Sequence, residues 1–181
     1  LGVGLAMPGP FDVESMSFVG PTTLKSWRGI PVADRVAEVT GLPAFLEGDH
    51  AAAALGESLY GAGRRFRDFY YLYFGVGLGG SLVHEGMPLR GAHRNAGEIG
   101  HVPMVVNGRP CSCGNRGCLE RYLSLEAFGR RAPIIGREGW IAEAAPLLRN
   151  AVVTIENLFD PETIVLGGMA EEDLLRDLVA A

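Results

Sequence analysis

An α/β fold is what this 181-residue sequence predicts, and three features predict it. The first sixty residues read as strand, helix, strand and helix in turn. An aromatic-rich strand in the middle is followed by a glycine turn and a second strand. The last part of the chain reads as helix, strand and helix.

The opening run LGVGLAMPG has the pattern of a buried strand. Met7-Pro8-Gly9-Pro10 ends it, since two prolines remove ladder donors and the glycine permits a sharp turn. A loop follows. From Ile30 to Val39, apolar residues at 30, 32, 33, 36, 37 and 39 predict a helix closed by Gly41, with Leu42 to Leu46 as the next strand. Asp49 then stands before the alanine-rich run 51–57, which has high helix propensity, so its carboxylate is placed at or near a helix N-terminus.

Phe69 to Phe74, FYYLYF, is strand-like, and Gly75 to Gly80 is read as the turn before a second strand, Ser81 to Val83. Gly86 to Gly91 is a further turn region. Leu148, Val152, Ile155 and Phe159 recur at helical spacing until Asp160-Pro161 breaks the helix. A strand at Thr163 to Leu166, the pair Gly167-Gly168 and an amphipathic helix from Asp173 to Ala180 complete the chain. Between Ser124 and Ile141 no period is sustained and the character changes abruptly, as at a place where residues are absent.

With 48% hydrophobic and 20% charged residues, the composition is that of a globular protein. At this length about two-thirds of the unfolded surface becomes buried, so folding requires neither disulfides nor a metal on size grounds. A net charge of −5 disfavours a general electrostatic grip on nucleic acid or an anionic membrane. No stretch approaches 18 apolar residues and no basic leader precedes the first strand, so a cytoplasmic location and no membrane partner are expected. The start in mid-strand, without an initiator methionine, reads as a fragment.

The sharpest chemical signal is His101 followed by Cys111, Cys113 and Cys118 in the run CSCGNRGC. One imidazole and three thiolates suit tetrahedral Zn²⁺, and the intervening glycines let the backbone fold tightly around one ion. With no open coordination position, such a zinc would be structural. The alternative is three buried cysteines acting as small hydrophobes, which their crowding into a polar loop disfavours.

Asp49 has two readings. It is an ordinary helix cap, stabilising by about 1 kcal/mol, or a general base poised for a hydroxyl. Gly75, Gly77 and Gly79 belong to a run that resembles phosphate-cradling loops, but a hairpin also needs glycine. Glu98 and Glu120 flank the cysteine loop and could accept hydrogen bonds from a polyol, although surface glutamates are commoner. Gly167-Gly168 could admit a nucleotide base or form a helix entry turn.

Three segments together resemble the ROK family of sugar kinases and sugar-responsive transcriptional repressors: Ala96 to His101 (AGEIGH), Cys111 to Glu120, and Asp49 to Glu57. The resemblance runs from about Gly2 to Met169. It implies an actin-like ATPase (ribonuclease H-like) fold of two α/β lobes around a cleft. Residues 1–47 would then be a remnant of the N-terminal lobe, and residues 48–181 the larger C-terminal lobe with the zinc loop at 101–120. It makes His101, Cys111, Cys113 and Cys118 zinc ligands. It also sets Glu98, His101 and Glu120 against sugar hydroxyls, and makes Asp49 the base that deprotonates the hydroxyl attacking ATP in kinase members.

Three departures from the family pattern stand against kinase chemistry. The N-terminal Asp-x-Gly-Gly phosphate hairpin does not occur in these residues, so the chain is not expected to be a complete kinase. The asparagine usual before the aspartate is Gly48, and His50 follows it. The Gly-Thr-Gly of the second phosphate loop is Gly75-Val76-Gly77, and losing a hydrogen bond to a charged phosphate costs roughly 1.5 to 3 kcal/mol. The expected function is therefore a sugar-binding effector domain of a regulator. DNA contact would come through an upstream helix-turn-helix outside this sequence, and a homodimer is expected. The alternative is an ATP- and Mg²⁺-dependent kinase acting on a hexose or N-acyl hexosamine, with Asp49 as base.

Overall fold

In the computed structural model, residues 1–9, 25–27 and 29–181 are described. Pro10 and most of the loop expected after it lie outside them. β1 (Val3–Met7) and β2 (Ala44–Gly48) pair in parallel, Val3 opposite Ala44 and Met7 opposite Gly48. α1 (Val32–Thr40) is the crossover between them. Its residues Val32, Ala33 and Val36 pack on Leu5, Met7 and Leu46. α1 ends as the sequence predicts, at Gly41 with φ 66°, where the glycine N–H donates to the Ala37 carbonyl.

β2 starts two residues later than expected. Leu42 is still part of the helix exit, its N–H donating to Thr40 Oγ1, and Pro43 has no N–H to add to a ladder. α2 (Asp49–Tyr60) follows β2 without a loop. Its alanines bring it close to the second sheet, where Ala53 and Ala54 pack with Phe69, Tyr71 and Val83.

That sheet contains β3 (Phe69–Phe74), β4 (Leu78–His84), β5 (Met87–Pro88) and β6 (Thr163–Gly168), in the order β5-β4-β3-β6. β3 is central, antiparallel to β4 and parallel to β6. Phe69 and Tyr71 face α2, while Tyr70, Leu72 and Phe74 face the main core built with α4 and α5. Burial on both faces is why β3 reads as an unbroken apolar run.

Three expectations need correction. β4 begins at Leu78 rather than Ser81, so Gly79 and Gly80 are strand residues opposite Tyr73 and Leu72. Glycine stands there because neighbours come too close for a side chain: a Cβ at Gly80 would collide with Tyr70 Oη. The Gly86–Gly91 turn region contains the short strand β5. The aperiodic stretch after Ser124 is helical: α3 (Glu120–Leu123) is followed by α4 (Leu125–Phe159), which is broken by non-helical, positive-φ backbone at Gly136 (φ 78°, ψ 165°). The break resets the face of the helix, so no single period spans it. α5 (Glu172–Ala180) buries Leu174 and Leu178.

Candidate functional site

The segment Ala96–His101 lies flat against β4 because two of its residues have no side chain. A Cβ at Gly97 would collide with the Gly80 carbonyl, and one at Gly100 with the Leu78 carbonyl. The Gly80 N–H donates to Gly97 O at 2.8 Å, and a short 3₁₀ turn, Ile99–His101, then presents His101. The cysteine loop returns to the same place. Pro103 bridges to Cys118, Pro110 to Arg116, and the Leu119 N–H donates to Val102 O.

These contacts gather His101, Cys111, Cys113 and Cys118 so that their ligand atoms all lie within 4.8 Å of one another. Cys111 Sγ is 3.5 Å from His101 Nδ1, and Cys113 Sγ is 3.6 Å from Cys118 Sγ. A tetrahedron with metal–sulfur bonds of about 2.3 Å and a metal–nitrogen bond of about 2.0 Å has edges of about 3.8 Å and 3.5 Å. The four side chains therefore fit a metal ion. The sulfur separation is also far beyond a disulfide bond. Cys113 is only half-buried, which fits the reading of three buried hydrophobes poorly.

The thiols also differ electrostatically. Burial opposes ionisation of Cys113, but hydrogen bonds from Asn115 and the neighbouring thiols lower its pKa below the usual thiol value. Burial pushes Cys118 up to about 12, and its contacts with Cys113 and Cys111 add to the rise. Three sulfurs this close do not ionise together without a cation among them.

His101 has a second face. Its Nε2 lies 4.0 Å from Glu98 Oε2, while Nδ1 points into the sulfur cluster. Glu120, at the start of α3, has its own anchor: the Leu78 N–H donates to its Oε2 at 3.2 Å. The structure thus pairs Glu98 with His101 and ties Glu120 to the glycine turn.

Asp49 is the first residue of α2, and Gly48 occupies the cap position. Asp49 Oδ1 accepts from the His50 N–H at 2.8 Å, so it is not the ordinary N-cap that spacing suggested. Its side chain is 34% exposed. Among the described residues nothing bonds Oδ2.

The expected phosphate glycines meet close neighbours. A Cβ at Gly75 would lie 2.8 Å from the Tyr73 ring, at Gly77 2.5 Å from Glu120 Oε2, and at Gly79 2.8 Å from His50 Cβ. The turn also docks on α4, whose Leu125 and Glu126 N–H groups donate to the carbonyls of Gly75 and Val76. Gly167 and Gly168 end β6, with Gly168 opposite Phe74, so both glycine elements share one end of the sheet.

Composition gave no sign of Arg109. Its guanidinium lies 4.4 Å from the centre of the Tyr122 ring and bonds the Arg121 carbonyl and Glu143, while its N–H donates to Tyr122 Oη. Arg131 pairs with the same Glu143. The residue types carry no motif, and the partners are 12 to 34 positions away.

The ROK family model matches residues 1–181. A xylose repressor from Caldicellulosiruptor bescii is 31% identical over 202 aligned positions, covering 94% of this chain and 50% of that protein. A glucokinase from Thermotoga maritima is 39% identical over 128 positions, 71% of this chain and 40% of its own length. The chain thus spans half or less of these two relatives. The crystal structure of a ROK family glucokinase from Streptomyces griseus, in complex with glucose and AMPPNP, shares the fold with a TM-score of 0.82 at 28% identity, over 99% of this chain and 69% of that one. The fold is thus the actin-like α/β fold of these sugar kinases, and with all 181 residues matched by the family model, the chain belongs to the ROK family.

Proposed function

We propose that this chain is the sugar-binding part of a sugar-responsive transcriptional regulator. The observation that carries the reading is the two-sided placement of His101, with Nδ1 in the sulfur cluster and Nε2 beside Glu98. The donor set suits Zn²⁺, which would hold Nδ1 and clamp the loop. With Nδ1 so engaged, Nε2 would carry the ring N–H and could donate it to a sugar hydroxyl, while Glu98 would accept from one. Glu120, fixed on the Leu78 N–H through one oxygen, keeps the other for the same ligand.

Residues 1–47 form a remnant of the N-terminal lobe in this reading, and residues 48–181 form the larger lobe. Similarity to a xylose repressor over 94% of the chain supports the regulator branch. So does Val76, 61% exposed at the tip of the glycine turn, which offers hydrocarbon where kinases of this family place a hydroxyl. DNA contact would belong to another part of the protein.

A second reading, an ATP-dependent sugar kinase with Asp49 as base, is favoured by the open Oδ2 of Asp49 and by similarity to glucokinases. Titration calorimetry with D-xylose and D-glucose, run beside an ADP-release assay on the full-length protein, separates the two. The regulator reading expects binding heat without ADP release. Sugar-dependent ADP release that Asp49→Asn abolishes overturns it in favour of the kinase.

A further inference from the structure

His50 follows Asp49 in the first turn of α2 and is only 7% exposed. Its ring rests in a cradle made by three glycines from three segments. A Cβ would come 3.3 Å from Cε1 at Gly48, 3.2 Å from Nδ1 at Gly79, and 3.4 Å from Nε2 at Gly97. β4 and the end of β2 thus leave room for one imidazole, and the segment before Glu98 meets it in ordinary van der Waals contact.

Both ring nitrogens face acceptors. Nδ1 lies 3.4 Å from Asp49 Oδ1, and Nε2 lies 3.3 Å from the Ala96 carbonyl oxygen. A neutral imidazole has one N–H and can serve only one of them, leaving the other nitrogen's lone pair facing an oxygen. A carboxylate at ion-pair distance from Nδ1 and a carbonyl within hydrogen-bond reach of Nε2 together favour a proton on each nitrogen.

We propose that His50 is a positioning residue: a buried imidazolium that bridges the Ala96 carbonyl and the Asp49 carboxylate and fixes Asp49 for contact with ligand. The positioning role rests on the family resemblance, which sets Asp49 against a sugar hydroxyl. Oδ1 accepts from the His50 N–H and lies at ion-pair distance from its ring, while among the described residues nothing bonds Oδ2. The same imidazolium ties the start of α2 to the segment that carries Glu98, so the two acidic groups move as one unit.

The charged surroundings agree. On its own helix His50 faces Asp49, and from the 96–98 segment Glu98. β2 and β4 turn glycines toward it, and Glu47, just before Gly48, is held by Arg90 at 2.6 Å. On β3 the Tyr73 phenol feels the same Asp49 charge, after burial, and is raised above its usual value. Burial alone would lower the pKa of His50, but Asp49, Glu98 and the Ala96 carbonyl outweigh it and raise the value above 6.5.

The test is nitrogen NMR of the full-length protein with labelled histidine, His50 being assigned by its loss in His50→Gln. At pH 7 both ring nitrogens are expected to be protonated, with a midpoint above 6.5 that falls by about one unit or more in Asp49→Asn. A singly protonated ring at pH 7, or a midpoint indifferent to Asp49→Asn, overturns the proposal. Calorimetry with D-xylose and D-glucose at pH 6 and pH 8 reads the positioning. His50→Gln is expected to weaken binding roughly tenfold at pH 6 and to remove its pH dependence. Equal affinity of wild type and His50→Gln at both pH values also overturns it. If neither sugar binds, the sugar reading of the site fails and the nitrogen spectrum alone decides the state of His50.

Discussion

Glu120 is held by the backbone of Leu78: its Oε2 accepts from that N–H at 3.2 Å, directly in front of Gly77. The relationship joins the turn between β3 and β4 to the helix that leaves the cysteine loop. It also explains Gly77, where a Cβ would stand 2.5 Å from the carboxylate oxygen. Gly77→Ala must push Glu120 away and leave the Leu78 N–H short of a partner. The expected cost is about 1 to 2 kcal/mol, which lowers the melting temperature by roughly 2 to 8 °C for a chain of this size. The pair Gly77→Ala and Glu120→Ala supplies the control. Because both remove the same contact, their combined loss in thermal denaturation should fall short of the sum by at least about 0.5 kcal/mol, and simple additivity would show that the contact is not stabilising.

The sulfur cluster predicts a metal-dependent fold around residues 101–120. Cys118 is buried and lies 3.6 Å from Cys113, so its replacement removes a ligand that no surface group can substitute. Cys118→Ser is expected to abolish stoichiometric metal and to lower stability by more than about 2 kcal/mol, since metal binding free energy is folding free energy. Elemental analysis and melting of the purified protein, with and without chelator, check this. A wild type that holds no metal and melts identically with chelator would count against the site.

Stability should also respond to pH through His50. Its folded pKa is raised above the unfolded value of 6.5, so the folded state binds more protons than the unfolded state in the interval between them. The contribution is fully present below pH 6.5 and is lost as pH rises through the folded pKa. One proton limits the slope to about 1.4 kcal/mol per pH unit. Urea unfolding from pH 6 to pH 9 should show this decline in wild type and a flatter profile in His50→Gln. A parallel decline in both would assign the effect to other groups.

The clustering of His101, Cys111, Cys113 and Cys118 was legible because their types and spacing point to one site locally, within eighteen positions. The β1-α1-β2 unit was legible for a similar reason, with Gly41 marking the helix end. The start of β4 was not. Gly79 and Gly80 read as turn residues by propensity, whereas their role is to admit His50 and Tyr70, which approach from other elements. The first part of α4 was hidden by Pro133 and by the break at Gly136. Asp49 kept two readings, cap and general base, because helical spacing places a side chain at a helix start without saying what it bonds. It accepts from the adjacent His50 N–H, whereas the contact of the His50 ring with the Ala96 carbonyl joins segments 46 positions apart and leaves no local signal.

Arg109 gives a prediction that sequence reasoning did not reach. It stands two residues before Cys111 and joins the cysteine loop to α3 and α4 through the Tyr122 ring, the Arg121 carbonyl and Glu143. Tyr122 in turn accepts from the Arg109 N–H at 2.9 Å, and its own carbonyl accepts from Trp140 Nε1 at 3.1 Å, so the loop is anchored to the buried core. Arg109→Ala removes the ring contact and the side-chain hydrogen bonds at once, at an expected cost of about 1 to 3 kcal/mol. Tyr122→Phe keeps the ring and loses only the hydroxyl acceptor, which should cost about 1 kcal/mol. Neither change touches one of the four residues proposed to hold metal, so stoichiometric metal should persist while exchange into a competing chelator becomes faster, as the loop opens more often. Arg109→Lys discriminates charge from shape: a lysine keeps the positive charge near Glu143 but cannot reproduce the flat stacked fork on Tyr122. If Arg109→Lys matches wild type in both melting temperature and chelator exchange rate, charge alone holds the loop and the stacking on Tyr122 contributes nothing.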